Sequence, residues 1–392
     1  MKAPLSEFLM EDWLERHRFT AKFNAGESGH RPQSLQNVLS GLQPDFNFDL
    51  RDALHETLLC DAPNMGMDEL RFEVARLHAG AGPENVLITT GTSEALILLL
   101  RQLRPKRVAL ITPAFQLLSE IPRSLGASVL YLPLLWDVQS GKPQAPLEQW
   151  IATLTRERPD VFIFNHPHNP SGLTFTGAER EALLNACESI GCVVIGDEHY
   201  RFLAVPESDT SRPARIGPTI WNRGSGRFVT GSFIKCAGTA GLRVGWCVGD
   251  EKTLAAMQSE KNYLTHTVNP LSQQLSIWFL QSFARHQSFF KPLFDEWQSN
   301  RMLLKEWLDS SADWTGASPE GGLVSCIFPR TAKHPSEIFE NIRRKGVFLL
   351  PLSSFMETDM TDGAFSHGFR LGLGLRTSIL KEMISVMVLN IP

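Results

Sequence analysis

Seven short apolar runs separated by amphipathic stretches predict an α/β protein. It has a mainly parallel, seven-stranded sheet covered by helices on both faces, and a smaller α+β domain after it. Three observations carry this prediction. Val86–Thr90, Arg107–Thr112, Val129–Leu132, Val161–Asn165, Val193–Asp197, Arg227–Thr230 and Val244–Gly249 are apolar, often β-branched, and bounded by Gly, Pro or charge. Such near-continuous apolar runs mark strands buried on both faces. Helical spacing recurs between many of them, in Ser93–Leu103, Gln116–Leu125 and Glu179–Ile190, and in the register Leu147, Ile151, Leu154; strands alternating with helices are the pattern of a parallel sheet. In the last hundred residues the pattern changes. Leu271–Phe290 and Leu293–Asp309 read as long helices, followed by the turn-rich Ala317–Gly322 and short strands at Leu323–Phe328, Val347–Leu350 and Phe369–Gly372. Met10–Phe19 reads as an amphipathic helix packing on this second unit. The expected division is an N-terminal segment at 1–45 joining the small domain, a large domain at 46–285, and a small domain at 286–392.

Composition narrows the function. The 392 residues carry 38 Lys+Arg against 42 Asp+Glu, a net charge of −4, which disfavours a basic nucleic-acid face. No apolar run is long enough to span a membrane, and the start has acids inside its apolar stretch and no small-residue cleavage site, unlike a signal peptide. A cytoplasmic protein is expected. Cys60, Cys187, Cys192, Cys236, Cys247 and Cys326 form no CxxC pair, and the histidines form no HExxH. Buried reduced thiols and no metal site are therefore expected. No G-x-x-x-x-G-K-[ST] loop occurs, and Gly372-x-Gly374 does not continue into a dinucleotide fingerprint.

An open α/β sheet places its ligands at the carboxyl ends of its strands, and four segments there draw the eye. Thr90-Gly-Thr-Ser-Glu-Ala95 turns from a strand into a helix, where N–H groups and hydroxyls cradle a phosphate; an ordinary N-cap reads the same way. Asn165-His-Pro-His-Asn-Pro-Ser-Gly172 forces an irregular turn, with a cis bond conceivable at Asn169–Pro170. In Val193-Val-Ile-Gly-Asp-Glu-His-Tyr200 an acid emerges at a strand end, where it needs a cationic partner or backbone donors. Finally, Lys235 follows the next strand among apolar and small residues, where desolvation makes an amine nucleophilic, and Arg243 stands in the glycine-rich stretch after it.

In combination and order, from about residue 60 to 376, these segments resemble the fold-type I family of pyridoxal 5′-phosphate enzymes, in its class I/II aminotransferase branch. The resemblance implies a role for each residue. Lys235 would carry the cofactor as a Schiff base and shuttle the Cα proton. Asp197 would pair with the protonated pyridine nitrogen, keeping the ring an electron sink. Tyr200 and Asn169 would bond the ring's phenolic oxygen, and Phe115 would stack on the ring. Thr92, Ser93, Ser232 and Arg243 would hold the phosphate. Arg370, in Phe369-Arg-Leu-Gly372, would clamp the substrate α-carboxylate, and Gly29 would let the chain close over the substrate. A homodimer with composite active sites is also implied. One position departs from the pattern. Where many members have a tyrosine that reaches the partner subunit's phosphate, this chain has Asp61, in the loop before Gly66-Met-Asp-Glu-Leu-Arg71. An acid would repel a phosphate, so Asp61 faces either a cationic substrate tail or solvent.

A narrower resemblance concerns Glu11-Asp-Trp-Leu14, Phe19-Thr-Ala-Lys22, Asn169-Pro-Ser-Gly172, Gly241-Leu-Arg-Val-Gly-Trp-Cys-Val248 and Asn262-Tyr-Leu-Thr265. These look like the cyclases of natural-product biosynthesis that close a hydroxylated arginine into a capreomycidine- or enduracididine-type ring. The expected activity is that dehydrating cyclisation of 3- or 4-hydroxyarginine. An aminotransferase moving an amino group to a 2-oxo acid is the alternative, and a non-catalytic cofactor-binding regulator is a third. Cyclisation needs an acid for the leaving hydroxyl and carboxylates for the guanidinium. Glu11, Asp12, Glu27 and Asp61 are the expected sources, Glu11 and Asp61 foremost.

Overall fold

The computed structural model describes residues 5–137, 141–203, 216–224, 226–331, 333–356 and 364–389. All seven expected strands form, with ends differing by a residue at most, and they join in one sheet. Its spatial order is Val86–Thr89, Gly245–Val248, Arg227–Gly231, Val193–Asp197, Val161–Asn165, Arg107–Thr112, Ser128–Pro133. Five strands run parallel in sequence, and Gly245–Val248 runs antiparallel to both its neighbours.

Alternate residues of each strand feed cores on opposite sides of the sheet, because side chains switch face at every residue. Leu87, Leu110, Ile163, Ile195 and Phe228 meet Leu96, Leu99, Leu254 and Met257 on one face. Ile88, Ile111, Phe162, Phe164, Val194 and Val229 belong to the other, larger core. A sheet buried on both faces must be apolar along its whole length, which is why the strands read as continuous runs.

Register decides what stands at the sheet's carboxyl edge. Asn165 pairs with Asp197, and Asp197 with Thr230, so three polar side chains line up across neighbouring strand ends. Beyond them, Trp314–Gly316, Val324–Pro329, Phe369–Gly372 and Leu350–Pro351 form a second, antiparallel sheet. The helices Pro270–Ala284 and Phe290–Ser310 precede that sheet in the chain.

Several elements differ from expectation. The Val347–Leu350 run is not one strand. Val347–Phe348 pairs in parallel with Phe23–Asn24, and Leu350–Pro351 pairs instead with Phe369 and Arg370, so the chain changes partner at Leu349. The first long helix stops at Ala284 and the second begins at Phe290. Buried Asp45 explains the break: it accepts hydrogen bonds from the hydroxyls of Ser282 and Ser288 and from the Ser288 N–H. These bonds tie down the turn, in which Gln287 adopts φ +60°. The Trp314–Gly316 strand and the Leu135–Asp137/Lys142–Gln144 hairpin are too short to show a period in sequence. Among the cysteines, five are buried free thiols, whereas Cys60 is exposed. No helix among the described residues is long and apolar enough to cross a membrane.

Candidate active site

Asp197 ends its strand at 5% exposure, where an isolated carboxylate would be costly. Its neighbours supply three donors. Asn165 Nδ2 donates to Oδ2 at 2.9 Å, while Thr230 Oγ1 and His199 Nδ1 approach Oδ1 at 3.3 and 3.2 Å. Burial alone would raise the carboxyl, but His199, Lys235 and Thr230 outweigh it and hold it below its ordinary range.

Lys235 is partly buried. Its Nζ donates to Ser28 Oγ at 3.1 Å and stands 5.6 Å from the Phe115 ring and 5.9 Å from the Tyr200 ring. Burial, with Arg370 next, pulls the amine down to about 8, against the opposing pull of Asp197, Glu11 and Glu27. A substantial neutral fraction near neutral pH makes it a nucleophile and a base. The Tyr200 hydroxyl donates to the Ser28 carbonyl at 2.6 Å, and burial pushes its ionisation up, so the phenol stays protonated.

At the next turn, Gly91 precedes the helix Thr92–Leu103 with φ +80° and no side-chain cap, unlike Asp250 and Asn269, which cap their own helices. The first N–H groups, with the Thr92 and Ser93 hydroxyls, are thus left to an anion. A Cβ on Gly91 would lie 2.7 Å from Arg243 Nη2, and one on Gly245 would lie 2.6 Å from the Thr92 nitrogen. Both glycines therefore permit a close approach that brings the Arg243 guanidinium to this turn. Arg243 itself is exposed and adopts φ +50°, a conformation that costs a residue with a Cβ about 1–2 kcal/mol. Ser232 is buried, its hydroxyl accepting from the Ile234 N–H at 3.2 Å.

Arg370 comes from the second sheet and is 2% exposed. Its Nη1 donates to Asn169 Oδ1 at 3.1 Å and its Nη2 to the Gly26 carbonyl at 2.5 Å. Nε has no partner, and the guanidinium lies over the Phe355 ring at 5.1 Å. The His166–Pro167 and Asn169–Pro170 bonds are cis in the turn that carries Asn169. Gly29 lies against the Lys235 backbone, where a Cβ would make ordinary contact at 3.5 Å, so its smallness is not what the packing requires. The adjacent His30 N–H donates to the Lys235 carbonyl at 2.8 Å.

The N-terminal segment forms the mouth. Exposed Glu11 and partly buried Glu27 both act electrostatically on Lys235 and Arg370. Arg18 bridges them, with Nη2 3.0 Å from Glu11 and Nε 3.7 Å from both Glu15 and Glu27. Asp12 is partly buried and has no hydrogen bond or ion pair to these residues. Exposed Asp61 likewise makes none with any of them. Sequence reading missed Ser28, Arg18, Thr230 and the pairing role of Asn165. Asn165 was open to discovery as a polar residue ending an apolar strand; the others carry no local signal.

The residues present fit pyridoxal 5′-phosphate. A depressed lysine, an ionised buried carboxylate and an uncapped helix start beside a guanidinium follow one another along the carboxyl edge of the large sheet, with the unpartnered buried Nε of Arg370 facing them from the second sheet. They match the cofactor's aldehyde, ring nitrogen and phosphate, and a substrate carboxylate.

Comparison with known proteins agrees. The family model for aminotransferase class I and II matches residues 53–384. Capreomycidine synthase of Streptomyces vinaceus is 28% identical over 364 residues, 91% of this chain and 88% of that protein. Kynurenine–oxoglutarate transaminase 3 of Bos taurus is 24% identical over 250 residues, 61% of this chain and 54% of that one. Among solved structures, a PLP-dependent aminotransferase from Streptococcus suis superposes with a TM-score of 0.84 at 21% identity, covering 98% of this chain and 97% of that chain. The PLP-dependent cyclase OrfR does so at 0.83 and 24% identity, covering 99% and 97%. At these identities the structures establish the fold, which is fold-type I.

Proposed function

Because the chain belongs to the aminotransferase class I and II family, whose cofactor is pyridoxal 5′-phosphate, we propose that it is a cyclase within that family. It takes a hydroxylated L-arginine, with the hydroxyl on C3 or C4, and closes it with loss of water into a cyclic guanidino amino acid of capreomycidine or enduracididine type. The observation that carries this reading is the match to capreomycidine synthase along 91% of this chain. The carboxylates of Glu11 and Glu27 beside Lys235 and Arg370 support it.

When bound, the cofactor supplies an electron sink for the pair released at Cα. Lys235 takes the Cα proton. Arg370, oriented by Asn169 and the Gly26 carbonyl, offers its remaining donors to the α-carboxylate. Glu11 and Glu27 hold the guanidinium over the mouth, with Asp12 and Asp61 as further sources of acid. For 3-hydroxyarginine the C3–O bond breaks, the hydroxyl leaves as water with a proton from one of these acids, a guanidine nitrogen adds at C3 and returns a proton to that acid, and Lys235 gives its proton back to Cα. For 4-hydroxyarginine a C3 proton leaves after the Cα proton, the C4–O bond breaks with loss of water, the guanidine nitrogen adds at C4 and gives up a proton, and C3 and Cα are protonated again. Either route removes one water and keeps the amino group. Thr92, Ser93, Ser232 and Arg243 would anchor the phosphate, Tyr200 and Asn169 would hydrogen-bond the ring's phenolic oxygen, and Phe115 would stack on the ring. The working form is a cytoplasmic homodimer, in which Asp61 reaches the partner's site.

The test is mass spectrometry of products from the cofactor-loaded protein with arginine, 3-hydroxyarginine or 4-hydroxyarginine, each with and without a 2-oxo acid. A product one water lighter, formed without oxo acid, is expected. A 2-oxo product that requires an acceptor would establish instead the second reading, an aminotransferase, which the transaminase relatives favour.

A further inference from the structure

His199 stands between Asp197 and Tyr200, and the family resemblance gives it no role. It is 5% exposed, its Nδ1 lies 3.2 Å from Asp197 Oδ1, and its ring packs 4.1 Å from that of Tyr200. Its Nε2 is buried and has no partner. The groups facing it are Asp197 and Tyr200 from its own segment, Lys235 and Cys236 from the loop after Arg227–Gly231, and Arg370 from the second sheet. Burial, with the two cations, outweighs the pull of Asp197 and keeps the imidazole neutral. Its Nδ1–H then donates to the carboxylate while Nε2 is left bare.

Neutrality is the point. A carboxylate has about four acceptor sites, and Asn165, Thr230 and His199 take three. A cationic imidazole would also cancel the charge on Asp197; a neutral one orients the carboxylate and leaves its full negative charge to the fourth partner. Each donor also stabilises the anion over the acid, so a proton shared between Asp197 and a basic ring nitrogen is driven onto the nitrogen.

We propose that His199 is a positioning residue for the cofactor's ring nitrogen, acting through Asp197 to keep that nitrogen protonated. This rests on the reading of Asp197 as the nitrogen's partner, and is independent of whether cyclisation or transamination follows.

The experiment uses the resting holoprotein without substrate. The visible absorbance of the lysine-bound cofactor is titrated with pH for the parent, His199→Phe and His199→Asn. Phe keeps a ring but removes the donor, and Asn restores an N–H near Nδ1. A less protonated ring nitrogen withdraws fewer electrons, so the His199→Phe midpoint should rise by about one unit, roughly tenfold in proton affinity, while His199→Asn stays near the parent. With a cofactor analogue bearing CH in place of the ring nitrogen, parent and His199→Phe should titrate together. If His199→Phe does not fold, His199→Leu, the size match of Asn, takes its place. A donor-less variant that titrates like the parent overturns the proposal, and so does a shift that persists with the analogue. If the parent titrates identically with both cofactors, the reading of Asp197 falls and takes this proposal with it.

Discussion

The floor and the mouth of the cleft are built on opposite terms. On the floor, Asp197, Asn169 and Arg370 are nearly inaccessible to solvent, and each is held by hydrogen bonds with neighbours set by strand register, by the Asn165–Gly172 turn or by the N-terminal segment. At the mouth, Glu11 is exposed, Glu27 partly so, and one half-buried arginine holds both. Exposed ion pairs of that kind contribute little to stability, so the mouth is free to exchange Arg18 for another cation. The floor is preorganised for a constant partner and the mouth is adaptable, which is the division expected of a common cofactor and a particular substrate.

The largest expected effect lies on the floor. Lys235→Ala should abolish the visible absorbance of bound cofactor and lower turnover by about 10⁴-fold or more; retained turnover would remove the assignment of the whole cleft. Arg370→Lys keeps the charge but loses the fork, so kcat/KM should fall about a hundredfold, mostly through KM. An unchanged KM would show that the carboxylate is clamped elsewhere.

Capture of pyridoxal 5′-phosphate by the cofactor-free protein tests the buried amine directly. Only the neutral form attacks the aldehyde, and burial lowers the Lys235 pKa, so the neutral fraction grows as pH rises through about 8. The capture rate should climb about tenfold per unit below that value and level off above it. A plateau first reached near the ordinary lysine range would mean a solvated amine.

At the mouth the effects should be smaller and selective. Glu27→Gln and Glu11→Gln should each raise KM for guanidino substrates about tenfold and leave neutral amino acids of similar length unaffected; equal changes for both classes would erase the contrast between floor and mouth. Asp61→Asn should produce the smallest shift, about threefold, again for guanidino substrates alone. Since Asp61 has no bond to the site within its own chain, that selectivity would have to come through a partner subunit. A uniform loss would return Asp61 to a surface loop.

Much of the floor was legible before folding, because its residues sit where local pattern changes. Asp197 ends an apolar run, Lys235 interrupts one, and Gly91 breaks a strand into a helix. Each is a local conflict between burial and polarity that only a ligand or a partner resolves. Strand boundaries were legible for the same reason, and the short Trp314–Gly316 strand was not, since three residues display no period. The interruption between the two long helices was expected, but its place, between Ala284 and Phe290, was hidden because its cause, Asp45, is more than two hundred residues away in sequence.

By itself, then, the sequence determined the α/β architecture and the seven strands and marked Asp197 and Lys235 as polar groups among apolar residues, since periodicity and buried polarity are properties of neighbouring residues. Arg370 came from the family resemblance alone. Only the tertiary structure decided who partners whom: His199 and Asn165 on Asp197, Ser28 against Lys235, Asn169 on Arg370, and Arg18 across Glu11 and Glu27. Except for the bond from His199 to Asp197, those contacts join residues far apart along the chain or brought together by the N-terminal turn. They follow from strand register and from the way the N-terminal segment lies across the cleft, neither of which any local pattern encodes.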